Sequence, residues 1–264
     1  MNPRLRILGC GSSAGVPRVA QGWGVCDPSN SKNRRRRCSI LVERDGPDGV
    51  TRVLVDTSPD LREQLIGAGV SEFDAILWTH AHADHIHGID DVRPLVHHMG
   101  RRLDGWMDEP TSAVVRNAFG YIFESAPGSL YPPLLTEHRL RAGTRCKIHG
   151  AGGAIEAWPI LLDHGEIEAL GFRFGDVAYS PDLVKIPRGS LEAFERLDLW
   201  VIDGLRYTTH PTHLCIDEAL DLIRLMRPKR AVITNMSSEV DYETLRRELP
   251  PNVEPAFDGM VLEA

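Results

Sequence analysis

Short apolar runs of four to eight residues alternate along this chain with longer stretches in which apolar residues recur every three or four positions. The short runs predict strands over Leu5–Leu8, Ser39–Glu43, Val53–Asp56, Ala75–Trp78, Ile155–Leu162, Gly171–Phe174, Val177–Tyr179, Leu199–Asp203 and Ala231–Thr234. The longer periodicity predicts helices over Pro59–Ala68, His85–Met99, Thr111–Phe123, Ser190–Arg196, Ile216–Met226 and Tyr242–Leu249. In the first of these, Leu61, Leu65 and Ile66 fall on one face, Gly67-Ala68-Gly69 closes the end, and Ser58 is a candidate cap.

At 264 residues there is length enough for a sizeable core, and no Pro/Ser-rich linker divides the elements, so a single domain over 1–264 is expected. Gly128–His138, with Pro132 and Pro133, reads as a loop. The stretch Leu103–Leu140 reads as an insertion that shapes either a pocket or a subunit contact, and a homodimer is left open.

Composition narrows the classes. The apolar fraction of 42% and charged fraction of 25% suit a globular enzyme, and no window approaches the ~20 apolar residues of a membrane span. Met1-Asn2-Pro3-Arg4 leads into a strand without an apolar leader, which makes a cytoplasmic address the expectation. Five cysteines, odd in number and dispersed, argue against a disulfide framework. The net charge of −7 disfavours a nucleic-acid partner, since phosphate neutralisation supplies most non-specific affinity. Arg34-Arg35-Arg36-Arg37 is the local exception, either a solvated loop or a phosphate patch. If Cys38 opens a strand, Arg35 and Arg37 share a face as it begins.

The densest chemistry is Thr79-His80-Ala81-His82-Ala83-Asp84-His85, directly after the run Ala75–Trp78. Imidazole is the commonest transition-metal ligand, and side chains at i and i+2 of an extended backbone point the same way, so His80 and His82 can share one ion. Asp84 and His85 then face a second position. Two ions ~3.5–4 Å apart form a hydrolytic clamp.

His80, His82, Asp84 and His85 resemble the HxHxDH signature of the metallo-β-lactamase superfamily, which implies an αββα four-layer sandwich with metals at one edge of two sheets. Leu8-Gly9-Cys10-Gly11-Ser12-Ser13, Gly15-Val16-Pro17 and Val55-Asp56-Thr57-Ser58-Pro59-Asp60 are similar to its phosphodiesterase branch, which includes ribonuclease Z and the phosphoribosyl cyclic phosphodiesterase of phosphonate breakdown. The resemblance implies that His164 is a further ligand and that Asp182 bridges two ions, although Pro181 stands where the family more often has glycine. It also implies a final histidine ligand, where this chain has Asn235, a weak donor for Zn²⁺ and a fair one for Mn²⁺, so that either Asn235 or a water would complete the second ion, with Asn235 otherwise a supporting residue behind the ligands. Two divalent ions, Zn²⁺ or Mn²⁺, are therefore expected, the second held more weakly.

Asp56 is expected either to orient a ligating imidazole or to cap the helix that follows. Members of the resembled branch close to the phosphoribosyl cyclic phosphodiesterase carry an N-terminal cysteine cluster that holds a structural zinc; with only Cys26 and Cys38 nearby, no such zinc is expected here. By resemblance, a histidine between the last two ligand motifs protonates the leaving group, with His213 the first candidate and His210 the second. Arg206 and Arg37 are candidate phosphate contacts. The implied function is metal-dependent hydrolysis of a small, cyclic phosphodiester, Asp84 taking the proton of the attacking water. Two rivals stand beside it: an acyl hydrolase acting on a thioester or lactone, and a degenerate metal-binding protein.

Overall fold

The computed structural model describes residues 3–263; Met1, Asn2 and Ala264 lie outside them. One seven-stranded sheet contains β1 (Arg4–Gly9), β2 (Ser39–Gly46), β3 (Gly49–Val55), β4 (Ala75–Leu77), β5 (Leu103–Met107), β6 (Leu135–Arg139) and β14 (Val261–Leu262), in the order β14-β1-β2-β3-β4-β5-β6. The other contains β7 (Cys146–Ile148), β8 (Ile155–His164), β9 (Ile167–Phe174), β10 (Val177–Ser180), β11 (Leu199–Asp203), β12 (Arg230–Thr234) and β13 (Val253–Pro255), in the order β13-β12-β11-β10-β9-β8-β7. In each sheet antiparallel strands give way to parallel ones: β3, β4, β5 and β6 in the first, β10 to β13 in the second.

Residues on opposite faces of these strands enter different cores, because side chains alternate along a strand. Ile40, Val42, Val53, Val55, Ala75 and Leu77 pack between the sheets with Phe172, Tyr179, Val201 and Ile233. Leu41, Leu54, Ile76 and Trp78, on the other face, pack against Leu61 and Leu65 of α1 (Leu61–Ala68), Val96 of α3 (Arg93–Met99) and Val115 of α4 (Glu109–Phe119). Burying each such side chain stabilises the fold by ~1.5–3 kcal/mol. With both faces covered, the strands read as unbroken apolar runs rather than alternating ones. On the second sheet α5 (Ile216–Met226) buries Ile216, Ala219 and Ile223 into the core that holds Trp200, and α6 (Tyr242–Glu248) buries Leu245. The result is the αββα sandwich.

Several expectations are corrected. The helix predicted over His85–Met99 is three pieces: α2 (Ala83–Ile86), a 3-10 turn over Ile89–Val92, and α3. Gly88 breaks it, donating its N–H to Thr57 O at 2.9 Å so closely that a Cβ there would lie 1.9 Å from Ser58 O. Ser58 does not cap α1; its hydroxyl accepts from Asp60 N and donates to Gln64 Oε1, and the helix starts at Leu61. Leu103–Leu140 is not an insertion but the edge of the first sheet, β5 and β6 joined through α4, so the loop expected over Gly128–His138 runs into β6. Ser190–Arg196 is a 3-10 segment, Arg188–Phe194. The short strands β7, β13 and β14, like β5 and β6, lacked a long enough apolar run to be predicted.

Candidate metal centre

The parallel strands deliver chemistry at their carboxyl ends, where open α/β sheets present ligand sites. Asp56 follows β3, Thr79 and His80 follow β4, Asp182 follows β10, Asp203 ends β11 and Asn235 follows β12; His164 ends β8. The edge between the sheets collects them all.

Among the described residues, three groups of potential ligands have donor atoms within 4.8 Å of one another: His80, His82 and His164; His80, His85 and Asp182; and His164, Asp182 and His213. His82 Nδ1 lies 3.0 Å from His80 Nε2 and 3.3 Å from His164 Nε2. His85 Nε2 lies 3.3 Å from Asp182 Oδ1 and 3.5 Å from Asp84 Oδ2. Thus all six residues expected as ligands, His80, His82, Asp84, His85, His164 and Asp182, meet at one place.

The donors fit divalent cations by a test independent of their identity. His85 Nε2 and Asp182 Oδ1 are buried without a hydrogen-bond partner among the described residues, a costly arrangement that a cation between them would relieve. Burial, helped by the charge of His85, holds the His80 pKa well below its ordinary value, and burial also lowers that of His164. Both are therefore neutral, the form that ligates. At His85, burial opposes charge, but Asp182, Asp56 and Asp84 outweigh it and raise its pKa. Asp182 and Asp84 flank Nε2 of this ring and Asp56 its Nδ1, so the carboxylates favour positive charge where a metal ion would also sit. Mixed imidazole and carboxylate donors suit a transition metal such as zinc or manganese.

The ligand rings are oriented from behind. Asp56, fully buried, accepts from Thr79 N at 2.8 Å and Thr79 Oγ1 at 2.9 Å, and its Oδ2 lies 2.8 Å from His85 Nδ1. Thr79 Oγ1 in turn lies 2.9 Å from His80 Nδ1. With O–H donated to Asp56, the threonine oxygen accepts the His80 Nδ1–H and leaves Nε2 for a metal. One carboxylate thereby sets two imidazoles, the orienting alternative for Asp56.

On the opposite side Asp203 Oδ2 lies 2.9 Å from His213 Nδ1, and the His213 ring centroid stands 4.7 Å from that of His164. Burial lowers the His213 pKa, but the hydrogen bond and charge of Asp203 outweigh it and push the value up to about 9. Asn235 Nδ2 donates to Asp203 Oδ1 at 3.2 Å, and its Oδ1 lies 3.8 Å from Cys38 Sγ. Of the two roles open to Asn235, this arrangement matches the supporting one: its amide oxygen faces a thiol, while the Asp203 carboxylate holds the NH₂ group.

His210 Nδ1 accepts from Thr212 N at 3.3 Å, which turns that nitrogen to its own loop. Arg206 donates Nε to Thr208 O and Nη2 to Thr209 O of the same loop. Arg37 Nε lies 3.1 Å from Asp60 Oδ2, outside the ligand cluster. Arg35 is 1% exposed and donates to Ser237 O, Val240 O and Asn33 Oδ1. Cys26 and Cys38 are buried, Cys26 beside Val240 O and Cys38 beside Thr234 and Asn235. Sequence reasoning missed Thr79 and Asp203. A hydroxyl beside the first ligand and a carboxylate closing an apolar strand were the available signals.

This fold and donor cluster are of the metallo-β-lactamase type. The beta-lactamase superfamily domain model matches residues 51–236, and the chain belongs to that superfamily. A crystal structure described as a new diphosphatase from the PhnP family is 35% identical, with a TM-score of 0.88, over 99% of this chain and 98% of that one. The Zn²⁺-bound PqqB of Methylobacterium extorquens shares the fold at 17% identity and a TM-score of 0.75, over 99% of this chain and 100% of that one. A curated relative, an octanoyltransferase of Porphyromonas gingivalis (strain ATCC BAA-308 / W83), is 32% identical over 97% of this chain. The chain spans about half of that relative's length, 51%. No helix among the described residues is long and apolar enough to cross a membrane.

Proposed function

We propose that this chain hydrolyses a phosphorus–oxygen ester or anhydride bond of a small molecule, a phosphodiester or diphosphate, at the His80–Asp182 cluster. The observation that carries the reading is the Asp203–His213 pair beside the ligands. A phosphodiester expels an alkoxide or phosphate oxygen that benefits from a proton, and a positioned acid contributes ~10²–10⁴-fold. Asp203 takes the Nδ1 side of the ring, which leaves Nε2–H to face the substrate.

His80, His82, His164, Asp84, His85 and Asp182 would hold the divalent ions, which when bound supply Lewis acidity and lower the pKa of water. Asp84, whose charge His85 favours against the cost of burial, accepts the proton of the attacking water. Asp56 and Thr79 keep the rings in the ligating tautomer. The 35% identical diphosphatase supports a phosphorus substrate.

The test is a His213→Ala series on aryl and alkyl phosphodiesters. Loss should grow as the leaving group becomes more basic, while bound metal stays constant. Equal loss on every substrate, or loss of an ion with His213, would overturn the acid role. The second reading, acyl hydrolysis, draws on the name of the P. gingivalis relative, but half of that protein lies outside the match. Turnover of a thioester with no turnover of any phosphodiester or diphosphate would favour it.

A further inference from the structure

The Arg34–Arg37 run, left over from the metal centre, builds a groove of its own. This open cavity of about 510 Å³ lies between the segment, the Ala14–Pro17 turn and α1. It is on the outer face of the first sheet, since Leu61 and Leu65 of α1 pack there rather than between the sheets. Chain alternation separates it from the metals: Cys38 turns inward to Thr234 and Asn235, while Arg37 turns outward beside Asp60.

Guanidinium tips converge in this groove with their donors unspent. Arg36 uses Nε on Asp258 at 3.1 Å, and Arg37 directs Nε at Asp60, yet the terminal nitrogens of both carry no hydrogen bond to the described residues. They lie over glycines: a Cβ at Gly67 would stand 3.6 Å from Arg36 Nη1, and one at Gly15 3.7 Å from Arg37 Nη1. Arg34, exposed, has no ion pair among the described residues and sits 5.6 Å from the Trp23 ring. Arg35, buried beneath, is bonded only to neutral acceptors, so its charge also lacks a carboxylate partner among the described residues. The acids at the rim are engaged, Asp60 by Arg37 and Glu63 by Arg62.

We propose that this groove is a second anion site, separate from the metal centre, that takes the phosphate or diphosphate group of a small phosphorylated molecule. Paired NH₂ edges match phosphate oxygens bidentately, and an open groove of this size suits a diphosphate better than a polymer. Two exposed positions allow the test without touching the paired arginines: R34E reverses a free charge, and I66E adds one on the 62% exposed Ile66 of the wall.

Calorimetric titration of the metal-loaded chain with inorganic pyrophosphate should show two sites. One should persist after chelation, weaken with salt, and weaken at least about tenfold in either variant. Loss of all binding on chelation, or a metal-independent site that neither variant alters, would overturn the proposal. So would R34E-sensitive binding of single-stranded RNA without pyrophosphate binding. Because none of these readouts requires turnover, the site stands or falls apart from the hydrolase reading.

Discussion

On the β4 side of the metal centre, four donors sit between residues 80 and 85; on the other side His164, Asp182, Asp203 and His213 come from four separate strand ends or loops. The supporting residues differ in the same way. Asp56 follows β3 with φ 64° and Asn235 follows β12 with φ 61°, both in the left-handed region that Asp and Asn tolerate. Asp56 is ionisable and sets two ligand rings, whereas Asn235 is neutral and braces Asp203 beside His213. The first wall is a set of ligands alone; the second adds the Asp203–His213 pair to its ligands. A local motif suffices for the former; the latter needs groups that only the sandwich brings together.

The shared residue gives the largest test. Asp182 touches both sets of ligands, so Asp182→Asn should remove bound metal measured by elemental analysis and cut hydrolysis by at least about 10³-fold. An unchanged metal content would show that the walls bind independently. Next is His213→Ala, with an expected loss of ~10²–10⁴-fold in kcat on alkyl substrates.

The acid's pH dependence sharpens the contrast. In the proposed acid role His213 would act while protonated, so activity should be present below its pKa and fall as pH rises through about 9. Asp203→Asn removes the main upward influence and should move that alkaline limb toward the ordinary ~6.5 of histidine; a limb that stays put would assign it to another group. Asp56→Asn should instead weaken metal affinity ~10–100-fold by competition assay while leaving the limb in place.

The smallest effect lies away from both walls. Asp241 caps α6 and accepts from Thr244, Asn33 and Asp27; burial raises its pKa, but these bonds more than cancel it and lower the value to about 2. Its contribution is present above the unfolded pKa near 4 and is lost as pH falls through about 2. Since the group is largely solvated, Asp241→Asn should remove less than about 1 kcal/mol of acid-sensitive stability in denaturant titrations.

The sequence by itself determined the strands with long apolar runs, the His80–His85 motif, and His164 and Asp182 as its partners by resemblance. These were legible because strands buried on both faces are uniformly apolar and because dense histidines rarely arise without chemistry. Only the tertiary structure decided that Leu103–Leu140 completes a sheet, since β5 and β6 are stable through parallel pairing to neighbours distant in sequence. It likewise turned Asn235 toward Asp203, paired Asp203 with His213, and separated Arg35, which clasps buried carbonyls, from Arg34, Arg36 and Arg37 in the groove. Direction is the reason: residue type says which bonds a side chain can make, but the packed backbone decides which partner lies within 3 Å.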